Sequence, residues 1–133
     1  MFSLRWLTDE DYPELVKWWE DWGWTAPTKG MLPNRGLGGV MVNKDGVNIC
    51  AGFMYITNSD YALLEYIISN KEYRGKERKL ALQELIDAIS EVAKSQGFKH
   101  IFTSLKHPHL KRHFLSCGYI EGDTGTTELT INL

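Results

Sequence analysis

The chain has 133 residues, two cysteines and a net charge of −2. That length suits one domain over residues 1–133 with a core that needs no metal or disulfide staples, and the charge excludes a protein that wraps nucleic acid through bulk electrostatics. Two cysteines make no disulfide framework, and no stretch has the form of a leader or a membrane span, so the expectation is a reduced, cytoplasmic protein.

Residues 2–7 alternate enough for a first strand. Thr8-Asp9-Glu10-Asp11 has the form of a helix cap, with acidic groups where the helix dipole favours them. The helix that follows carries Leu15, Val16, Trp18, Trp19 and Trp22 and stops near Gly23. Residues 24–39 hold Pro27, Gly30, Pro33, Gly36, Gly38 and Gly39, which is loop chemistry, and so long a loop in a small domain is often functional. A strand at Val40-Met41-Val42 turns at Lys44-Asp45-Gly46 into a partner over residues 47–57. A second turn, Asn58-Ser59-Asp60, leads to a strand ending near Ser69. Residues 80–96 spell a long amphipathic helix, with Leu82, Leu85, Ile86, Ile89, Val92 and Ala93 as its apolar stripe and Gly97 as its stop. Residues 98–104 read as a strand, Pro108 opens a short helix to about Cys117, and the tail from Tyr119, with the alternation of residues 128–133, predicts a last strand or pair. The order β-α-β-β-β-α-β-α-β is that of a mixed α/β (α+β) domain.

The most informative stretch runs from Tyr61 to Gln96. Between its strand and its helix lie Arg74, Lys76, Arg78 and Lys79, with only Glu77 in compensation. A helix N-terminus carries about half a positive charge, so cations there are locally unfavourable. An anionic ligand such as a phosphate would resolve the conflict, since helix amides and basic side chains would converge on it. The alternative is a solvated charge run.

The element order, with two local motifs, resembles the GNAT superfamily of N-acetyltransferases across nearly the whole chain. The family's acetyl-CoA loop joins a strand to a helix with an Arg/Gln-x-x-Gly-x-Gly/Ala pattern, often after an aromatic residue. Tyr73-Arg74-Gly75-Lys76 matches its start, and Glu77 and Lys79 stand where the family has two small residues. The second motif is Phe114-Leu115-Ser116-Cys117-Gly118-Tyr119. Its Gly118-Tyr119 fits the family's Gly-Phe, and His107 falls where an Asn is usual. Phe114 replaces a tyrosine that in many relatives protonates the departing thiolate; water, Ser116, Cys117 or His113 would serve instead, or no acid is needed. The resemblance implies a mostly antiparallel, twisted sheet of six or seven strands flanked by helices. It implies acetyl-CoA as co-substrate and transfer of an acetyl group to an amine of a small molecule or protein. The cofactor would lie where the strand ending at Ser69 splays from the strand 98–104. Backbone groups of Ile67, Ile68 and Ser69 would pair with the pantetheine arm. Arg74, Gly75, Lys76, Glu77, Arg78 and Lys79 would hold the pyrophosphate, and His107 is placed to touch the cofactor.

Glu65 is the candidate base. Alternation puts it on a face with Leu63, Ile67 and Ser69, where desolvation would raise its pKa; the alternative is a rim glutamate in an ordinary ion pair. His109 and His113 have the i,i+4 spacing of a metal pair, but the third ligand and base of a zinc-protease motif are missing, so no metal is expected. Trp18, Trp19, Trp22 and Trp24 would either roof an acceptor pocket or fill the core. Cys117 reads as a buried small hydrophobe before a reactive thiol. The rival to an enzyme is an inactive module of the same fold, binding a protein partner through the Trp-rich helix and the loop after it. A nucleic-acid module using the basic turn is disfavoured by the net charge, and a homodimer is compatible with the sequence.

Overall fold

Hydrophobic spacing sorts the chain into one sheet with helices on both faces. In the computed structural model, which describes residues 1–133, the strands are β1 (Ser3–Trp6), β2 (Gly39–Lys44), β3 (Val47–Ile56), β4 (Tyr61–Ser69) and β5 (His100–Phe102). They stand side by side in the order β1-β2-β3-β4-β5. The first four pair antiparallel, and β5 joins β4 in parallel. Asp45 and Gly46, both at positive φ, make the tight turn between β2 and β3, as an Asp-Gly hairpin demands.

Helix α1 (Asp11–Asp21) covers one face. Its Leu15, Trp18 and Trp19 lie at i, i+3 and i+4 and pack with Leu7, Leu32, Met41, Ala51, Phe53 and Ile68. The start of α1 is tied to the sheet. Asp11, only 6% exposed, accepts two hydrogen bonds from the Arg5 guanidinium at 2.7 and 2.8 Å and one from the Thr8 amide at 2.8 Å. These bonds, the arginine's first, hold its carboxyl below the usual aspartate range despite burial. The loop after α1 forms two 3-10 turns, Lys29–Met31 and Pro33–Gly36, and lies on the same face.

Helix α2 (Lys76–Ser95) covers the other face. Ala81, Leu85, Ile86, Ile89 and Ala93 pack there on Val42, Cys50, Met54, Ala62 and Leu64. Helix α3 (Pro108–Ser116) docks beside α2 through Phe114.

Three boundaries differ from the expectation. Helix α2 starts at Lys76, four residues before the expected start, because Gly75 adopts φ 95° as its N-cap; the basic residues are therefore its first turn and not a turn ahead of it. Strand β5 has three residues, since only Tyr61, Ala62 and Leu63 pair with it. The sheet has five strands where six or seven were expected. Residues 128–133 form no ladder, and Leu129, Ile131 and Leu133 are exposed. Alternation prescribes which side chains share a face, but it does not supply a partner strand.

Candidate functional site

The site begins where the sheet comes apart. Pairing between β4 and β5 ends at Leu63 and Phe102, so β4 runs on to Ser69 with no strand on that side. Two side chains close the top of the split. The Thr103 hydroxyl donates to the Leu64 carbonyl at 2.6 Å, and the Ser104 amide donates to Glu65 Oε1 at 3.0 Å. Past this point the walls diverge.

A bulge in β4 reorients what lines the split. Register passes from Phe53 opposite Glu65 to Ala51 opposite Ile68, so Gly52 faces two residues, Tyr66 and Ile67. Tyr66 takes a positive φ of 56°, rare for an aromatic residue and typical of strain kept at a bulge. A Cβ on Gly52 would stand 3.2 Å from Ile67 Cγ1 and 3.3 Å from Leu85 Cδ2, so Ile67 points to the α2 side. Ile68 packs with the α1 cluster, the face that Glu65 shares through its pairing with Phe53. The expected common face of Glu65, Ile67 and Ser69 is thereby broken: the extra residue turns Ile67 and Ser69 over, and Glu65 shares its face with Ile68 instead.

Glu65 is half-buried. Burial lifts its carboxyl above the ordinary glutamate range, the Ser104 bonds oppose that rise, and the charge of Glu128 adds to it. Near it, Tyr55 donates its phenolic proton to the Met31 carbonyl at 2.7 Å and so pins the loop over the α1 face. Burial, then Tyr66 and Glu65, push that phenol up to about 12, too high to supply protons readily at neutral pH.

At the far end of β4 the cations gather. Lys71, Arg74 and Arg78 line a cleft of about 260 Å³ together with Trp22. Arg78 donates to the Lys71 carbonyl at 3.3 Å, and Lys71 to the Asp21 carbonyl at 3.2 Å, so the cluster is tied to both α1 and α2. Glu77 points elsewhere. It accepts from Lys44 at 2.6 Å and from the Tyr73 hydroxyl at 2.7 Å, and these bonds hold its carboxyl below the usual range. Its negative charge is thus spent on the β2–β3 hairpin. Lys76 and Lys79 are exposed on the first turn of α2, and the charge of Lys79, after burial, depresses His113 on α3.

Trp22 bridges the split. Its indole N–H donates to the Ser69 carbonyl at 2.8 Å. One of the backbone acceptors expected to serve a pantetheine arm is therefore taken. Its ring stacks on Trp24 with centroids 5.7 Å apart, and Trp24 lies 5.4 Å from His107, the N-cap of α3. His107 thus meets the Trp24 end of the stack and does not line the cleft itself. The tryptophans of α1 and the loop after it divide cleanly: Trp18 and Trp19 are core, 2% and 3% exposed, while Trp22 and Trp24 face the split. A Trp-rich docking face on α1 is correspondingly reduced.

Phe114 does not face the split. It is 3% exposed, packs in the α2 cluster and meets the Tyr119 ring edge-on at 4.8 Å. The motif match at this position marks a core residue. Cys117 is partly buried, which pushes its thiol up to about 11, so it stays protonated and inert. His109 and His113 sit on α3 with no third ligating side chain gathered beside them.

Sequence reasoning missed Lys71, Thr103, Ser104 and the separate role of Trp22. Lys71 lies just outside the basic motif. Trp22 continues the stripe of Trp18 and Trp19, and only its place on the last turn before Gly23 set it apart.

No family model matches the sequence, and no curated protein matches it significantly. Solved structures do resemble the fold. The ribosomal-protein-S18-alanine N-acetyltransferase from Escherichia coli superposes with a TM-score of 0.75 at 15% identity, over 92% of this chain and 80% of that one. Glucosamine-6-phosphate N-acetyltransferase from Arabidopsis thaliana gives 0.66 at 12% identity, over 97% and 98%. N-acetylglutamate synthase from Neisseria gonorrhoeae, solved with coenzyme A and N-acetyl-glutamate, gives 0.64 at 15% identity. That match covers 77% of this chain, which spans only 25% of the synthase. At such identities the likeness is one of fold. The chain has the GNAT fold, as its element order and motifs implied. No helix is long and apolar enough to cross a membrane.

Proposed function

We propose that the chain is an acetyl-CoA-dependent N-acyltransferase that moves an acetyl group to an amine of a small molecule or protein. One observation carries this reading: the unpaired edge of β4 leads from a half-buried carboxylate, Glu65, to a cleft walled by Lys71, Arg74 and Arg78. From Glu65 to Ser69 that edge is about 13 Å long at the usual rise per residue. It gives an extended ligand a place to lie, with its anionic end among the cations and its acyl end by the carboxylate.

In the reaction the amine nitrogen attacks the thioester carbonyl, the C–N bond forms, and the C–S bond breaks as the tetrahedral intermediate collapses. The proton lost by the amine goes to Glu65, directly or through water. The thiolate leaves and takes its proton from solvent, since Phe114 has none to give and lies in the core. Arg74 and Arg78 hold the pyrophosphate by charge and hydrogen bonding. The Glu77 side chain is turned to Lys44 and the Tyr73 hydroxyl and adds no charge to that grip.

Calorimetry with acetyl-CoA tests the reading. Binding is expected, and Arg74→Ala with Arg78→Ala should weaken it by more than about tenfold, or roughly 1.4 kcal/mol. Lack of binding by the unmodified protein, or equal binding by the double variant, sinks the cofactor assignment.

A further inference from the structure

The aromatic stack across the split has no role in the chemistry above, yet it occupies the path of the ligand. This inference rests on the acetyl-CoA reading and concerns the regulation of that site. Trp22 donates its indole N–H to the Ser69 carbonyl, an oxygen on the edge of β4 that β5 leaves unpaired. An amide N–H on a ligand lying along this edge would compete for the same oxygen. Beyond Trp22 the stack continues through Trp24 to His107. It therefore reaches from the end of β4 to the first turn of α3, the two walls of the split.

The other side of the stack is charged. Lys71 Nζ lies 5.2 Å from the centre of a Trp22 ring and the Arg78 guanidinium 5.6 Å, within the range of cation–π attraction. These two cations also line the cleft proposed to hold phosphate. They cannot serve both partners equally: an arriving anion draws them toward itself and removes support from the indole. Trp22 closes α1 and is followed by Gly23 at φ 81°. Trp24 is 40% exposed, so it can swing outward without opening the core, and Trp22, which packs on the edge of that core, has only to shift far enough to free its N–H.

We propose that Trp22 and Trp24 form a movable bar across the cleft. The Trp22 N–H stands in for an amide N–H of the ligand's arm, and binding of the ligand's anionic end at Lys71 and Arg78 loosens the bar for the arm to displace. The bar gives way only to a ligand that carries both parts, a polyphosphate end and an amide-bearing arm.

Binding of two probes to the full chain tests this: coenzyme A, which has the arm, and adenosine 3′,5′-bisphosphate, which has phosphates and no arm. Trp22→Phe deletes the competing N–H and keeps a ring. Trp24→Ala deletes the middle of the stack at an exposed position, and thermal melts confirm that both variants fold. The ratio of coenzyme A affinity to bisphosphate affinity should rise by about three- to tenfold in each variant, the scale of one released hydrogen bond or ring contact. A ratio that stays level or falls in both folded variants overturns the bar, while measurable binding of coenzyme A leaves the cofactor reading standing. If neither probe binds any of the three proteins, the cofactor reading fails and the bar falls with it.

Discussion

The two walls of the split are built differently. The β4–α2 wall is continuous: β4 pairs with β3 from Ala62 to Ser69, α2 packs on the sheet below it, and Glu77 ties the start of α2 to Lys44 on the β2–β3 hairpin. The β5–α3 wall is spare. It has three paired residues, a helix anchored largely by Phe114, and a tail whose Lys111–Glu121 ion pair is its charged tie to α3. The charges proposed to hold the cofactor all stand on the first wall, between the end of β4 and the first turn of α2, whereas the second contributes Ser104, His107 and packing. A rigid wall can carry a precisely placed anion site; a sparer one can shift to admit a ligand.

The largest expected effect breaks the second wall. Phe114→Ala should lower stability by about 3–5 kcal/mol in a denaturant titration, because the ring fills core between α2 and α3. Phe114→Tyr should cost about 1–3 kcal/mol for its buried hydroxyl and bring no gain in turnover. A gain in turnover at unchanged stability would show that this position faces the reacting sulfur and that the wall has been misread. Next in size is the chemistry on the first wall. Glu65→Gln should cut thiol release by at least about tenfold, toward the low end of what a general base contributes or below it, with acetyl-CoA affinity nearly intact. In the unmodified protein the rate should rise with pH, first as Glu65 ionises, above the ordinary glutamate range since burial raises it, and then as the amine loses its proton. No tyrosine acid titrates to bring an alkaline fall. Equal rates in both proteins remove Glu65 from the mechanism. Smaller still, Lys79→Ala should change acetyl-CoA affinity by less than about twofold, since Lys79 is exposed and does not line the cleft of Lys71, Arg74 and Arg78.

The contrast between the walls also explains what the sequence revealed. The apolar stripes of α1 and α2 and the Asp-Gly hairpin are local patterns, and each became the expected element, while the basic run fell inside the first turn of α2 and not ahead of it. The face on which a residue lands depends on register, and register is not local. One extra residue at Tyr66–Ile67 turned Ile67 and Ser69 away from Glu65. Phe114 matched a motif position in sequence, but docking of α3 on α2 put its ring in the core. Trp22 looked like its neighbours Trp18 and Trp19 until the end of β4 presented a carbonyl to its N–H. The tail from residue 128 has the alternation of a strand, yet β5 pairs over only three residues, so the pattern found no ladder.

Glu65 links the two walls, and its last consequence concerns stability. Burial raises its carboxyl pKa above the unfolded value, so the folded protein holds that proton more tightly than the unfolded chain. Below the unfolded pKa both states are protonated and Glu65 imposes no penalty. As pH rises, the unfolded chain ionises first, and stability is lost until the folded carboxyl ionises too; above that the penalty is constant. Glu65→Gln keeps a carbonyl oxygen to accept the Ser104 amide proton and does not titrate. It should therefore melt slightly higher than the unmodified chain at pH 7, by less than about 4 °C, with the gain disappearing below about pH 4, where unfolded glutamates are protonated. Glu65→Ala should melt lower, because the Ser104 N–H that bridges the walls loses its partner. If both variants melt below the unmodified protein at pH 7, the carboxylate's main work is to stitch β4 to the loop after β5. If Gln rises and Ala falls, the bridge needs only an acceptor, and the charge is kept at a cost in stability, as expected of a group retained for chemistry.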